Sequence, residues 1–183
     1  MNLILASKSP RRIALLKELG FTFDIIPSQN PETSTKKRPA ARVSELAEQK
    51  AFDVAQKYPG SVVIGADTLV FCKGEIIGKP KDKKDALRIL NKLNGSWQSV
   101  YTGVCIMCLN EHKMLYGYDV SKCKARTLSP EQLDHLAGKH MDKAGAYGVQ
   151  EWIGFIGVEN ISGSYYNIMG LPVQRLYKEL VKV

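Results

Sequence analysis

Short apolar runs and amphipathic stretches alternate along this chain, and the spacing of their hydrophobic positions predicts the order of its strands and helices. Apolar and β-branched runs predict strands at residues 3–6, 22–27, 61–71 and 75–78. A period near 3.6 residues predicts helices at residues 10–19, 40–57, 82–94, 130–137 and 171–180. Two longer runs, 100–109 and 113–126, are joined by a polar turn and are predicted to pair antiparallel. This mixture favours an α/β protein with an elongated mixed sheet and flanking helices.

The composition is that of a globular protein, and it excludes a disordered, repetitive or membrane-spanning chain. Of the 183 residues, 44% are apolar and 24% are charged, which is enough to bury a core. No apolar run approaches the roughly 20 residues of a membrane-spanning helix, and the first run ends at Ser7, too early for a signal peptide. We therefore expect a cytoplasmic protein with no membrane partner. No linker or change of composition interrupts the chain, so residues 1–183 are expected to form a single domain.

The four cysteines are predicted to be buried, reduced thiols. Cys105 and Cys108 have the C-x-x-C spacing of redox and zinc sites. However, residues three apart in a strand point to opposite faces, so these two thiols would not converge on one metal ion. There is no second C-x-x-C pair, and the three histidines do not have the spacing of metal ligands.

The excess of positive charge predicts an anionic partner. The formal net charge is +8, and all of the excess lies in residues 1–124. A nucleic acid and a small phosphorylated ligand both fit such an excess, and composition does not separate them. The arrangement of the basic residues disfavours nucleic acid, because no aromatic residue stands beside the basic clusters at 11–12, 36–38 and 81–84.

Two charged residues occupy positions where the pattern calls for apolar ones, and burying an unpaired charge costs several kcal/mol. Asp67 interrupts the apolar run 61–71. Either its carboxylate faces a cleft, or the strand ends at Gly65 and leaves Asp67 in solvent; the apolar residues directly after it favour the cleft. Lys50 lies in the apolar stripe of the helix at 40–57. It either binds an anion or extends its ammonium along the stripe into solvent.

The junction between the first strand and the first helix has the features of an anion-binding site. A helix N-terminus presents unpaired backbone N–H groups at the positive end of the helix dipole. Here Ser7, Ser9, Arg11 and Arg12 add hydroxyls and guanidinium groups to that end, an arrangement that suits a phosphate. The chain has no glycine-rich phosphate-binding loop. Two adjacent arginines are also common at a solvated helix start, so both interpretations stay open on pattern alone.

Further polar residues extend this interpretation to a ligand that carries a metal ion. Lys79 is held at a strand end between Gly78 and Pro80 and adds another positive group. Glu32 lies in a polar loop and looks ordinary by its pattern. Together with Asp67 it supplies the carboxylates that a divalent cation would need. The residues therefore favour an anionic ligand accompanied by a divalent metal ion.

The chain resembles the Maf family of nucleoside triphosphate pyrophosphatases over essentially its whole length. The resemblance is carried by seven motifs that occur in the family's order: Ala6-Ser-Lys-Ser-Pro-Arg-Arg12, Glu32, Leu46-Ala-x-x-Lys50-Ala51, Gly65-Ala-Asp-Thr68, Gly78-Lys-Pro80, Gly145-Ala-Tyr-Gly-Val-Gln150 and Gly163-Ser-Tyr-x-Asn-x-x-Gly-Leu-Pro172. A single motif of this kind would be a weak signal, whereas seven in order form a specific one.

This resemblance implies a fold like that of the inosine triphosphatase group, with two α/β lobes around a cleft. It also implies hydrolysis of a nucleoside triphosphate to the monophosphate and diphosphate with Mg²⁺ or Mn²⁺. Three specificity positions match the dTTP/UTP branch, which extends to modified pyrimidine nucleotides. The family is also associated with inhibition of septum formation. A regulatory protein that binds nucleotides or nucleic acid without catalysis is the alternative, and a homodimer is compatible with the sequence.

The resemblance also implies a role for each candidate site residue. Asp67 would be the general base or a metal ligand, and Glu32 would share the metal ion. The phosphates would be held by a set of cationic and hydroxyl side chains: Lys50, Lys79, Arg11, Ser7 and Ser9. The specificity positions are Arg12, Thr68 and Gln150. Two departures from the family pattern, Pro31 before Glu32 and Glu151 after Gln150, stand next to these residues.

Overall fold

The computed structural model describes residues 1–150 and 157–181 and contains a mixed sheet with flanking helices. Its strands are β1 (Leu3–Leu5), β2 (Asp24–Ile25), β3 (Val62–Cys72), β4 (Glu75–Ile77), β5 (Trp97–Cys108), β6 (Lys113–Ala125) and β7 (Val158–Ser162). Its helices are α1 (Pro10–Glu18), α2 (Pro39–Ala55), α3 (Lys83–Leu93), α4 (Pro130–Leu136), α5 (Tyr165–Met169) and α6 (Val173–Leu180), with a 3₁₀ turn at Ala144–Ala146.

The sheet combines parallel and antiparallel strands, which confirms the predicted fold class. Its order is β2-β1-β3-β5-β6-β7, with β4 paired to β3. Strand β1 is parallel to both β2 and β3, whereas β3 with β4 and β6 with β7 are antiparallel. The β3–β4 hairpin turns at Lys73 and Gly74, whose φ angles of 49° and 81° match the turn expected from that dipeptide.

One predicted strand was too long, and one short helix was not predicted. Only Asp24 and Ile25 of the predicted strand 22–27 pair, because their neighbour β1 is three residues long and offers two register positions. Helix α5 was missed because five residues are too short to show a helical period. The other helices begin and end within about two residues of the predicted positions, the usual disagreement between methods of assignment.

The chain divides into two compact units, and the first comprises Met1–Thr68, Thr102–Asp119 and Gly170–Val183. Its core lies where α2 packs on the sheet and is made of small and branched side chains, among them Ile4, Ala47, Ala51, Val54, Val63 and Cys105. Two glycines allow this close approach. A Cβ at Gly65 of β3 would lie 2.2 Å from the carbonyl oxygen of Ala47, and one at Gly103 of β5 would lie 2.4 Å from that of Val43.

We expect Gly65→Ala to lower the free energy of unfolding by about 1–3 kcal/mol, the usual cost of overpacking, because the new methyl group meets the rigid backbone of α2. Gly78→Ala is the matched control, since a Cβ there meets nothing within 4 Å. Urea unfolding followed by circular dichroism measures both variants. Equal midpoints for the two variants would show that Gly65 does not set the distance between α2 and β3.

The second unit comprises Leu69–Tyr101 and Val120–Met169 and has a separate core. That core joins α3 and α4 to β3, β4 and β5 through buried residues such as Val70, Ile77, Leu90, Leu93, Val100 and Leu136. Both helices have N-terminal caps: the Asp82 side chain accepts the Asp85 N–H at the start of α3, and Ser129 forms a capping box with Gln132 at the start of α4. The proposed arrangement of two lobes around a cleft stays a prediction.

The structure confirms that the four cysteines are buried thiols. All four cysteines are free and buried, and burial raises the pKa of Cys105 to about 12. A thiol in that environment stays protonated near neutral pH and is a poor nucleophile. Among the residues that the structure describes, no helix has both the length and the apolar character needed to cross a membrane.

Candidate active site

A lysine between two carboxylates forms the centre of the candidate site in the first unit. The Lys50 Nζ atom lies 2.6 Å from Oδ1 of Asp67 and 3.0 Å from Oε1 of Glu32. The side chains of Lys50 and Asp67 are only 13% and 10% exposed, whereas that of Glu32 is 52% exposed. One ammonium group therefore joins a buried carboxylate to one that water can reach.

The close packing of α2 on β3 explains why these groups meet. Gly65 and Asp67 are two residues apart and so lie on the same face of β3. Because Gly65 lets Ala47 and Ala51 contact the strand, Lys50 between them is brought onto Asp67. The strand continues past Gly65 to Cys72, so the alternative of a solvent-exposed Asp67 was wrong. The alternative of a Lys50 that extends into solvent was also wrong, since its ammonium ends on two carboxylates.

The pair of carboxylates fits a divalent cation of the magnesium type. Mg²⁺ and Mn²⁺ prefer hard oxygen ligands, and Mg²⁺ is commonly held by one or two carboxylates together with substrate phosphates and water. Asp67 and Glu32 supply two such ligands around a single point, and the exposure of Glu32 leaves that point open to a ligand. No cluster of three His, Cys, Asp or Glu residues occurs in the ranges 1–150 and 157–181. This donor set therefore suits a metal ion that arrives with a phosphorylated substrate.

The turn between β1 and α1 presents hydroxyl and guanidinium groups, as the sequence predicted. Ser9 occupies the N-cap position of α1, with Pro10 at the first helical residue, but its side chain does not cap the helix. Instead, the backbone N–H of Ser9 donates to the hydroxyl oxygen of Ser7, at 3.3 Å. The Ser9 hydroxyl thus keeps its capacity to bind an anion at the helix start. Arg11 follows in the first turn of α1 and is half-buried.

The guanidinium group of Arg12 donates most of its hydrogen bonds to other groups of the protein. Its Nε atom donates to the carbonyl oxygen of Gly170 at 2.8 Å, and NH1 donates to that of Ala66 at 2.9 Å. NH1 and NH2 also donate to the hydroxyls of Ser7 and Thr68. Burial lowers the pKa of Arg12, and the Asp67 carboxylate opposes that shift. At least four of the five guanidinium donors are used in this way.

The hydroxyl of Thr68 is held by partners that the sequence did not reveal. It lies 3.0 Å from the hydroxyl of Thr102, which is fully buried on β5. Gly170 lies next to this hydroxyl. Its φ is +112°, and a Cβ at that position would stand 3.4 Å from Thr68 Oγ1. Thr102 carried the same kind of signal as Asp67, a polar residue in an apolar run. The Gly170 carbonyl carried none, because a backbone oxygen has no sequence identity.

Asp53 is a further buried charge that was missed. It lies on α2 at 6% exposure, and its Oδ2 atom accepts the backbone N–H of Gln29 at 2.8 Å. That hydrogen bond lowers the pKa of Asp53, although desolvation opposes it. Asp53 therefore stabilises the fold above the usual carboxyl pKa, and this contribution is lost as pH falls through its lowered value. Its position three residues after Lys50, on the apolar side of the helix, was a detectable signal.

The remaining predicted residues lie in the second unit or next to the site. Lys79 follows β4 and is exposed, and Gln150 is half-buried. Their approach to the residues of the first unit stays a prediction. Pro31 is exposed, and its carbonyl oxygen accepts the Thr33 N–H at 2.9 Å, so this departure forms a turn around Glu32. Glu151 lies outside the described residues.

Fold and site together describe an α/β protein with a charged site, centred on Lys50, whose residue types suit a phosphorylated ligand. Comparison with known proteins makes the class specific. The family model for Maf-like protein matches residues 2–183. This chain therefore belongs to the Maf-like protein family.

Relatives across bacteria match the chain over its full length. A protein named dTTP/UTP pyrophosphatase from Elusimicrobium minutum is 54% identical over 182 residues, covering 100% of this chain and 98% of that protein. One of the same name from Aquifex aeolicus is 47% identical, covering 98% of this chain and 94% of that protein. A solved structure of a HAM1 protein from Coxiella burnetii has a TM-score of 0.49 and 16% identity, covering 77% of this chain and 93% of that one.

Proposed function

We propose that this protein hydrolyses dTTP and UTP to the corresponding nucleoside monophosphate and pyrophosphate. The observation that carries the proposal is the buried Lys50–Asp67 pair with Glu32 on the same ammonium group. These three side chains bring a candidate base, a positive charge and a second carboxylate together. Reactions at phosphorus require such groups to position the reactants and to stabilise negative charge. The name dTTP/UTP pyrophosphatase, shared by the relatives from Elusimicrobium minutum and Aquifex aeolicus, supports the same activity.

In the proposed reaction a water molecule attacks the α-phosphorus of the nucleotide. Its oxygen forms a bond to that phosphorus, and the bond from the α-phosphorus to the oxygen bridging to the β-phosphorus breaks. Asp67 either accepts the proton of the water or, with Glu32, holds the divalent cation; the two roles are separated by the experiments below. The cation, when bound, neutralises phosphate charge and lowers the pKa of water. The electron pair of the broken bond leaves with pyrophosphate.

The cationic residues would hold the phosphates and stabilise the negative charge that develops during the reaction. Lys50 lies closest to Asp67 and is the first candidate for this role. Arg11 and the hydroxyls of Ser7 and Ser9 at the start of α1 would bind a further phosphate. Lys79 is proposed to complete the set from the second unit.

The specificity residues would recognise a pyrimidine base through hydrogen bonds. The amide of Gln150 offers both a donor and an acceptor to the O4 and N3–H of uracil or thymine. Arg12 fixes the orientation of the Thr68 hydroxyl, which would contact the same base. A purine in such a pocket leaves polar groups unpaired at a cost of roughly 1–3 kcal/mol for each buried group. We propose a cytoplasmic enzyme of one catalytic domain whose range includes modified pyrimidine nucleotides; a homodimer stays a prediction.

A panel of nucleoside triphosphates with detection of pyrophosphate tests the proposal. We expect kcat/KM for dTTP and UTP to exceed that for ATP and GTP by at least about tenfold, with CTP intermediate or poor. We also expect activity to require added Mg²⁺ or Mn²⁺. Comparable rates on purines would refute the pyrimidine assignment and leave the pyrophosphatase assignment in place. Nucleotide binding without release of pyrophosphate would favour the regulatory alternative.

A further inference from the structure

Glu32 belongs to a loop that runs along α2, and we call residues 28–34 the Glu32 loop. Three side chains of α2 contact it at intervals of four residues, so they lie on one stripe of the helix. The contacts are Ser34 Oγ donating to Glu45, Gln49 Nε2 donating to the carbonyl oxygen of Thr33 at 3.1 Å, and the N–H of Gln29 donating to Asp53 at 2.8 Å. The loop and the helix therefore run in opposite directions, with Asp53 at the first end of the loop.

Asp53 attaches that end of the loop from inside the protein. Its carboxylate accepts the Gln29 N–H at 2.8 Å, and the neighbouring Ser28 side chain also lowers the pKa of Asp53. The Ser28 oxygen in turn accepts the N–H of Asn30, at 3.3 Å. Hydrogen bonds to an ionised group are the stronger kind, and this group is buried away from competing water. Lys57 approaches the other carboxylate oxygen at 3.4 Å and is half-exposed.

The Glu32 side chain also reaches α2, through an ion pair that is partly exposed. Its carboxylate pairs with Lys50 at 3.0 Å, but half of the side chain is exposed to solvent. An ion pair with so exposed a partner contributes little and does not order a seven-residue loop by itself. Lys50 and Asp53 project from α2 about one turn apart, so the same helix holds both the first end of the loop and the Glu32 carboxylate.

We infer that Asp53 is a positioning residue, which fixes the Glu32 loop on α2 and thereby keeps the Glu32 carboxylate beside Lys50 and Asp67, where the two carboxylates share a divalent cation. This inference rests on the proposed function, because Asp53 acts on the reaction only through Glu32. Residues that orient metal ligands typically change metal affinity or activity by about 10–100-fold when they are replaced.

The test compares Asp53→Asn with the matched control Lys57→Met in the full-length chain. Mn²⁺ alone is the probe, and its Kd is measured from the electron paramagnetic resonance signal of the free ion. We expect Asp53→Asn to weaken Mn²⁺ binding about tenfold and to speed amide hydrogen exchange in residues 28–34. Lys57→Met removes only the exposed partner of Asp53 and is expected to change neither quantity. Unchanged Mn²⁺ binding and loop exchange in Asp53→Asn would overturn the inference.

A double variant shows whether Asp53 acts through Glu32. We expect Glu32→Gln to weaken Mn²⁺ binding. On that background Asp53→Asn is expected to weaken it by less than about a further twofold, because the effects of substitutions at two coupled residues are not additive. If the fold-increases in the Mn²⁺ Kd from the two single substitutions multiply in the double variant, Asp53 acts independently of Glu32 and the inference is overturned. If Glu32→Gln leaves Mn²⁺ binding unchanged, the metal role in the proposed function fails as well. If Glu32→Gln weakens binding and Asp53→Asn does not, the inference alone fails.

Ser28→Ala removes the hydroxyl that accepts the Asn30 N–H inside the Glu32 loop, and it leaves the buried carboxylate of Asp53 in place. It keeps the test decisive if Asp53→Asn does not fold, which circular dichroism reports. We expect it to weaken Mn²⁺ binding and to speed exchange in the Glu32 loop by less than Asp53→Asn does. Wild-type values of both quantities in Ser28→Ala would count against the inference.

Discussion

Replacing Asp67 with asparagine is expected to lower kcat on dTTP by about 10²–10⁴-fold, the usual contribution of a general base, while the fold stays intact. Asparagine has the shape of aspartate, and Asp67 is 7% exposed, so the packing around β3 is preserved. The loss follows because an amide neither accepts the proton of the attacking water nor provides an anionic metal ligand. Pyrophosphate release under saturating dTTP and Mg²⁺ measures the effect, and thermal melting followed by circular dichroism checks the fold.

The matched control is Asp119→Asn, which removes another ion-paired aspartate, held by Arg175 at 2.7 Å on β6. It is expected to keep wild-type turnover. Mn²⁺ binding to Asp67→Asn distinguishes the two proposed roles, since a metal ligand would be needed for binding and a base would not. Wild-type kcat in Asp67→Asn would make Asp67 structural, and the mechanism above would be wrong.

Both members of the central pair could be singled out from the sequence because each breaks a hydrophobic pattern, whereas their contact with each other came from the structure. A carboxylate inside an apolar strand and an ammonium inside an apolar helical stripe are costly unless they find partners, and here they are partners of each other. Glu32 gave no such signal, because a polar residue in a polar loop costs nothing. The sequence analysis grouped it with Asp67 only as a second carboxylate for a divalent cation, and the structure shows it paired with the same lysine.

Other features depended on contacts between distant parts of the chain. The guanidinium of Arg12 bonds to a carbonyl 158 residues away, and no local pattern encodes that partner. The length of β2 was set by its short neighbour β1 rather than by its own residues. Asp53 and Thr102 could have been found, since each is a buried polar residue in an apolar context.

Replacing Lys50 with methionine is expected to abolish most activity and to make the stability of the protein depend on a divalent cation. Methionine keeps the apolar stem of Lys50 but leaves Asp67 buried without its counter-ion. Breaking a buried ion pair from one side costs at most about 3–5 kcal/mol, which corresponds to a fall in melting temperature on the order of 10 °C for a chain of this size. Loss of the Lys50 ammonium, which is proposed to stabilise the negative charge on the phosphates, is expected to lower kcat by about 10²–10³-fold.

Mg²⁺ should reverse the loss of stability in Lys50→Met but not the loss of activity. Without the ammonium between them, Asp67 and Glu32 attract a divalent cation more strongly, and binding at 100 times the Kd adds about 2.7 kcal/mol to the native state. Melting curves with and without Mg²⁺, together with pyrophosphate release, measure both effects. Lys57→Met is the control, because Lys57 also pairs with an aspartate on α2 but is 53% exposed. If Lys50→Met retains activity, Lys50 does not bind phosphate; if Mg²⁺ fails to restore its melting temperature, Asp67 and Glu32 do not share the metal ion.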